Sequence, residues 1–452
     1  MKTRNRILLL LFLLCCAALP NLPLHAAPHP GVLRFDFGSG PAPEGWTRVI
    51  PTNLYSRERG FGFETSTPIT SIDRQSEDLL SRDFCTSDRP FFFSVALPEG
   101  NYRIRITMGD PAGSSTNTVK AELRRLMLHS AVTRPGESLV RTIIVNVRQP
   151  RIRDGREVRL KERERTSEWH AWDEKLTLEF NGARPCIAAL EIEPANDLPT
   201  LFLLGDSTVC DQPLEPWNSW GQMLPVFFKP TIAVANHAES GETLRSSLGA
   251  GRLDKVLSLM KPGDYLLIQF GHNDMKDRAD NALAVYKENL ALFITRTREK
   301  GGHPVLVTSM ERKAGVTEPT LAGYPNAVRE VAVQLNVPLV DLNAMSRTLY
   351  RALGDQLDAA FQDGTHHNNY GSFLLAKCVI QGLKDANLPL AQHVVDEWTP
   401  FRPENPDPLD HFDIPSSPEY TEQRPVSYTR LFGAGELVCR PVCGVPADPD
   451  SH

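Results

Sequence analysis

The sequence predicts two folded parts, an all-β sandwich followed by an α/β domain built on a parallel sheet. Three observations carry this. Short segments of alternating polarity, punctuated by Gly, Pro, Asn and Asp, fill residues 31–195. From about residue 199 the pattern changes to continuous apolar runs alternating with helical stretches, as in a parallel sheet covered on both faces. The 452 residues are also too many for one ordinary core.

Residues 1–27 stand outside both parts. Lys2, Arg4 and Arg6 precede an apolar run, Ile7 to Leu19, that is too short to cross a bilayer as a helix. Pro20, Pro23 and His25-Ala26-Ala27 follow. This is the pattern of a secretory signal peptide cut near Ala26 or Ala27, although Leu24 and His25 make an imperfect cleavage box. The residues before Cys15 lack the small side chain of a lipoprotein signal. No later segment reads as a membrane span, so the mature protein is expected to be soluble and exported, either secreted or periplasmic. Apolar content of 41%, charged content of 23% and a net charge of −6 describe an ordinary globular protein. They argue against a nucleic-acid partner, which calls for a basic surface.

The sandwich strands are expected at "VLRFDFG", "PFFFSVAL", "NYRIRITMG", "LVRTIIVNV", "KLTLEFNG" and "CIAALEIEP". Among them "RIRDGREVRLKERER", Arg151 to Arg165, is a charge run that reads as a solvated hairpin turning at Asp154-Gly155. "PANDLPT" is a linker. The parallel strands are expected at Leu201–Leu204, Ile232–Ala235, Tyr265–Phe270, Val305–Thr308 and Pro338–Leu342. The helices are expected at Trp220–Phe228, Leu253–Met260, Ala284–Lys300, Ala327–Leu335 and Tyr370–Ala386. The α/β domain spans 199–390, and 391–452 is a Pro-rich extension over the surface. Beyond the leader lie Cys85, Cys186, Cys210, Cys378, Cys439 and Cys443. An even number in an exported chain permits disulfides, with Cys439 and Cys443 the most local pair. No second Cys pair or His pair has metal spacing, so no metal site is expected.

In a parallel α/β sheet the site lies at the carboxyl ends of the strands. Ser207 follows the first run, in Gly205-Asp206-Ser207. Gly241 lies in "NHAESGETLRS" after the second. Asn273 lies in "GHND" after the third, and "DGTHHNNYG" places Asp363 three residues before His366. A serine hydroxyl needs a base to become a nucleophile. His366 suits that role, with Asp363 to orient its ring; the neighbouring His367 is the other candidate. The negative oxygen of a tetrahedral intermediate needs donors already aimed at it. The Ser207 N–H, the Gly241 N–H and the Asn273 amide are candidates. Trp220, with Trp217 nearby, could stack on a sugar or pack a core. Asp206 and His272 flank site residues and are placed with Trp220 as candidate substrate contacts, though Asp206 also suits fixing the loop and His272 a structural role. Cys210 reads as buried or disulfide-bonded rather than nucleophilic. Tyr55, Phe61 and Phe63 suit either glycan contact or the sandwich core.

The four blocks, in this order, resemble the SGNH (GDSL-type) hydrolases over about Pro199 to Pro389. The resemblance implies a three-layer α/β/α fold with a parallel sheet of about five strands. It implies Ser207 as nucleophile, His366 as base, and Ser207, Gly241 and Asn273 as the oxyanion site. "GDSTV", "GQMLP", "ESGETLRS" and "DGTHHNNYG" are most similar to the rhamnogalacturonan acetylesterase branch. That implies removal of acetyl groups from pectic polysaccharide without a cofactor. The opening "RFDFGSG…GWTRVIPTNLYSRERGFGFE" resembles the carbohydrate-binding jelly rolls found beside such enzymes. The competing expectations are a lipase or thioesterase acting on other acyl esters, and a non-catalytic glycan-binding protein. A monomer acting on an acetylated polysaccharide or oligosaccharide is expected.

Overall fold

The computed structural model describes residues 31–64 and 67–420. The leader, Cys439, Cys443 and the end of the Pro-rich extension lie outside the described residues.

Two five-stranded sheets make the N-terminal sandwich. One runs in the order Leu139–Val147, Gly100–Met108, Ala189–Pro194, Leu33–Phe37, Thr47–Val49. The other runs Phe61–Phe63, Phe91–Ala96, Lys175–Asn181, Ser115–Ala121, Arg125–Thr133, with every neighbour antiparallel. Alternation in the Gly100–Met108 strand explains the layering. Tyr102, Ile104, Ile106 and Met108 are fully buried between the sheets. Arg103 and Arg105 point outward and pair with Glu193 and Glu191, their partners in register on the next strand. Phe37, Phe63 and Phe93 meet edge to face in the core, and Phe61 packs on Phe35. Phe63 is therefore a core residue, and Phe61 is half-buried against that core. The alternating pattern did not single out Ser115–Ala121 or Arg125–Thr133, because Lys120, Arg124 and Arg125 are charged residues that the fold buries.

The parallel sheet has five strands in the order Ala233–Asn236, Thr200–Gly205, Tyr265–Gln269, His303–Val307, Leu339–Val340. Successive residues feed opposite cores. Leu201 and Leu203 pack with Trp220 and with Leu374, Val379 and Ile380 of the last helix, Asn369–Asp385. Phe202 and Leu204 pack with Val256, Phe293 and Val328 of the Arg252–Leu259, Ala282–Glu299 and Tyr324–Gln334 helices. That is the three-layer arrangement. Two elements depart from expectation. Pro225 turns the Trp220–Phe228 stretch into a short α-turn, Trp220–Met223, and a 3₁₀ turn, Leu224–Phe227. The last strand is only Leu339–Val340, because Asp341 caps a helix, Leu342–Leu353, that follows at once.

The first strand lies between the second and third, so the three loops that follow them meet at one carboxyl edge. The two domains are fastened by buried charge. Arg125 reaches Asp211 at 3.4 Å, and Arg124 pairs with Glu215 at 2.6 Å. The extension also binds the sandwich: Lys120 donates to the Pro415 carbonyl and the Ser417 hydroxyl, each at 2.7 Å. All four described cysteines are buried free thiols.

Candidate functional site

Ser207 sits at the carboxyl end of the first strand, and its Oγ lies 2.7 Å from His366 Nε2. The opposite ring nitrogen, Nδ1, lies 2.7 Å from Asp363 Oδ2. Asp363 is held by its own turn, its Oδ1 accepting the Thr365 N–H at 2.7 Å and the His366 N–H at 2.6 Å. Burial opposes ionisation of Asp363, but the bonds from the His366 ring and from these two amides outweigh it. They hold its carboxyl well below the usual carboxylate range.

Local structure delivers the histidine. His367 donates no part of the relay: it is buried, hydrogen-bonds the Tyr350 hydroxyl at 2.9 Å, and lies against Phe361. Burial pushes its imidazole down to about 3, so it is neutral. Its carbonyl accepts the Asn218 N–H at 2.9 Å, which ties this turn to the serine loop. Asn368 then caps the last helix. Gly371 lets that helix approach closely, since a Cβ there would lie 2.1 Å from the Ala360 carbonyl oxygen.

The three candidate anion donors, on Ser207, Gly241 and Asn273, come together at one cavity. Neither the Ser207 N–H nor the Gly241 N–H has an acceptor among the described residues. Gly241 has φ +73, a left-handed conformation that glycine adopts without strain. Asn273 uses one amide hydrogen on the Glu242 carbonyl at 3.2 Å, and Lys276 donates to its Oδ1 at 3.0 Å. These two bonds assign the nitrogen and oxygen ends of the amide. Ser207, Gly241, Asn273 and His366 line one cavity of about 420 Å³, with Arg163, Trp217 and Lys276 on its walls.

The three candidate substrate contacts are placed elsewhere, which corrects the expectation. Trp220 is 1% exposed, Asp206 0% and His272 3%, and none lines the cavity. They belong to one buried hydrogen-bond chain beneath the serine. Trp220 Nε1 donates to Gln269 Oε1 at 2.8 Å, and Gln269 Nε2 donates to Thr208 Oγ1 at 2.7 Å. Thr208 Oγ1 donates to Asp206 Oδ1 at 2.7 Å. The other Asp206 oxygen lies 3.2 Å from His272 Nδ1, and His272 Nε2 lies 3.0 Å from the Met310 carbonyl oxygen. Every polar group in this chain is paired, so the chain fixes the loop without reaching a ligand. Trp217, 37% exposed, is the aromatic on the cavity wall. Cys210 is buried, and burial together with Glu239 and Glu168 pushes its thiol well above the ordinary range. That leaves it inert.

The charge run Arg151–Arg165 is a second correction. Its hairpin turns at Asp154-Gly155 as expected, but its far half docks on the α/β domain instead of facing water. Arg163 lines the cavity, a placement the sequence could not signal because its partners lie some eighty residues away.

Comparison with known proteins agrees with the geometry. The GDSL-like lipase/acylhydrolase family model matches residues 203–372. A beta-agarase/YXIM esterase-like, galactose-binding domain-like model matches residues 33–129. The rhamnogalacturonan acetylesterase RhgT of Bacillus subtilis (strain 168) is 39% identical over 217 residues, covering 43% of this chain and 94% of that protein. The uncharacterized esterase YxiM of the same organism is 27% identical over 406 residues, 85% of this chain and 98% of that protein. The probable rhamnogalacturonan acetylesterase YesY, again from that organism, is 31% identical over 212 residues, 44% of this chain and 98% of that protein. With this similarity spanning nearly the whole of RhgT, and with the family's segment falling on the strands that converge at Ser207, the chain belongs to the GDSL-like lipase/acylhydrolase family of SGNH esterases.

Proposed function

We propose that the protein is an exported serine esterase that removes O-acetyl groups from plant cell-wall polysaccharide, with pectic rhamnogalacturonan as its substrate. The observation that carries the chemistry is the relay of two 2.7 Å contacts from Ser207 through His366 to Asp363, open to a cavity where the Ser207 and Gly241 N–H groups have no acceptor among the described residues. Ser207 attacks the acetyl carbonyl as His366 takes its proton. The Ser207 and Gly241 N–H groups and the Asn273 amide receive the oxyanion. His366 then protonates the departing sugar hydroxyl, and water releases acetate by the same route. The acetyl group is small, so selectivity comes from contacts to the glycan, for which Trp217 offers an exposed ring.

The choice of rhamnogalacturonan rests on similarity to RhgT and YesY, whose names carry that substrate. Export rests on the leader pattern of residues 1–27. Acetate release from acetylated pectins and xylans, with wild type and Ser207→Ala side by side, tests the reading. Release is expected on rhamnogalacturonan, and Ser207→Ala should lower kcat by at least about 10³-fold. Equal release by the variant would remove the catalytic reading, and a preference for long-chain aryl esters would favour a lipase.

A further inference from the structure

The loop that carries Gly241 is gripped from outside its own domain. Lys161 and Arg163 lie in the sequence of the sandwich domain, between its Leu139–Val147 and Lys175–Asn181 strands. Both side chains donate to a single acceptor, the Ser240 carbonyl: Lys161 through Nζ and Arg163 through Nη2. A carbonyl oxygen has two lone pairs, so these two cations satisfy it. The same cations hold the carboxylates on either side. Arg163 Nε bonds Glu239 Oε1 at 2.6 Å, and Lys161 Nζ lies 2.8 Å from Glu242 Oε1.

The Ser240 carbonyl and the Gly241 N–H are the two ends of one planar trans peptide group, so they point in opposite directions. Fixing the oxygen fixes the hydrogen. The Gly241 N–H has no acceptor among the described residues, and Gly241 lines the cavity with Ser207 and Asn273. The Glu242 N–H closes a turn on the Glu239 carbonyl at 3.3 Å, and with glycine third in such a turn the Ser240–Gly241 peptide has two accessible orientations, φ +73 belonging to one of them, so a grip on the Ser240 oxygen selects between them. A hydrogen bond from a cation to the carbonyl also polarises the peptide and strengthens its N–H as a donor. Glu239 and Glu242 already match the two positive charges, which argues against these cations serving as a binding site for an acidic sugar.

We propose that Lys161 and Arg163 are positioning residues of the esterase, aiming and polarising the Ser240–Gly241 peptide so that the Gly241 N–H meets the oxyanion. The sandwich domain is thereby a working part of the active site. Its grip on the opposite loop is of the same kind, since Arg124 donates to the Gln212 and Trp217 carbonyls at 3.0 and 3.1 Å. This inference rests on the serine-esterase reading above.

The test uses the full chain and 4-nitrophenyl acetate, which is too small to report on glycan contacts. Lys161→Met, Arg163→Met and the double variant are compared with Arg163→Lys. Arg156→Met is the control, because Arg156 also joins the domains, through Asp254 at 2.8 Å, without touching Ser240. The double variant is expected to lose about ten-fold or more in kcat with KM within about two-fold, a fraction of what a deleted oxyanion donor costs. Inhibition by phenylboronic acid, whose serine adduct is tetrahedral and anionic, should weaken by a similar factor. Arg163→Lys should retain more kcat than Arg163→Met, and Arg156→Met should match wild type. Unchanged kcat and boronate inhibition, a loss no larger than in Arg156→Met, or a change confined to KM would overturn the proposal. Should the double variant fail to fold, the single variants and their boronate inhibition decide it. Failure of wild type to cleave the ester through Ser207 would instead sink the esterase reading itself.

Discussion

Asp363 does two things that a carboxylate in water would not. It orients His366 through Oδ2 and closes its own turn through Oδ1. Because its carboxyl sits well below the usual range, it stays ionised through the interval where ordinary carboxylates titrate. The sign follows: a depressed folded value adds stability above the unfolded value and loses it as pH falls through the folded one. With nearly half its side chain exposed, that contribution is screened, and the kinetic effect dominates. The pH dependence of wild-type kcat/KM should therefore show no limb near pH 4 from this residue. Asp363→Asn should lower kcat by roughly 10²–10⁴-fold, because an amide donating to Nδ1 forces the proton onto Nε2, which then cannot accept from Ser207. Stopped assays across the pH range check both statements. At this scale much was legible: the spacing in Asp-Gly-Thr-His already placed the pair. What was not legible was the fate of Asp206 and His272, whose burial depends on strands brought together from distant parts of the chain.

The serine loop contains two tryptophans three residues apart, and the elements around them separate their roles. Trp220 starts a helical turn facing the last helix and is 1% exposed, whereas Trp217 lies in the loop before it and is 37% exposed. Trp220→Ala should cost about 3–5 kcal/mol of stability through the cavity it leaves. Trp217→Ala should leave the denaturation midpoint within experimental scatter and raise KM on acetylated oligosaccharide without a matching rise on 4-nitrophenyl acetate. Chemical denaturation and paired kinetics distinguish the two, and a KM rise shared by both substrates would remove Trp217 from glycan contact. Periodicity located these elements well because the parallel strands are apolar throughout. It could not rank the tryptophans, since polar Asn218 and Ser219 separate them and only contacts with distant elements decide which is buried. The Leu342–Leu353 helix was not among the expected elements, although its Leu342, Met345, Leu349, Tyr350 and Leu353 fall at helical spacing.

Across the whole molecule, the two domains share ionised groups that neither could bury alone. Glu164, from the charge run, pairs with Arg252 of the α/β domain through two bonds of 3.0 and 2.5 Å, with both side chains at most 1% exposed. Arg125 and Arg148 also lie 3.4 and 3.8 Å from Asp211, all three side chains buried. Breaking such a pair strands a charge away from water, so Glu164→Gln should destabilise the protein by about 3–5 kcal/mol. The domains should also unfold together: near-ultraviolet circular dichroism and residual esterase activity should trace one transition in urea. Two separated transitions would show that the interface does not couple them.

By itself the sequence determined the order of the two folds, the five strands of the parallel sheet, and the residues at their carboxyl ends. These are local properties. Hydrophobic period, turn chemistry and the position of a residue after an apolar run need no partner to be read. Only the tertiary structure decided which charges are solvated and which are bound. Arg151–Arg165 has the composition of a surface hairpin, yet Lys161, Arg163 and Glu164 find their partners at Glu242, Glu239 and Arg252. A charge run carries no mark of its counter-ions, because an ion pair depends on distance in space and not on distance along the chain.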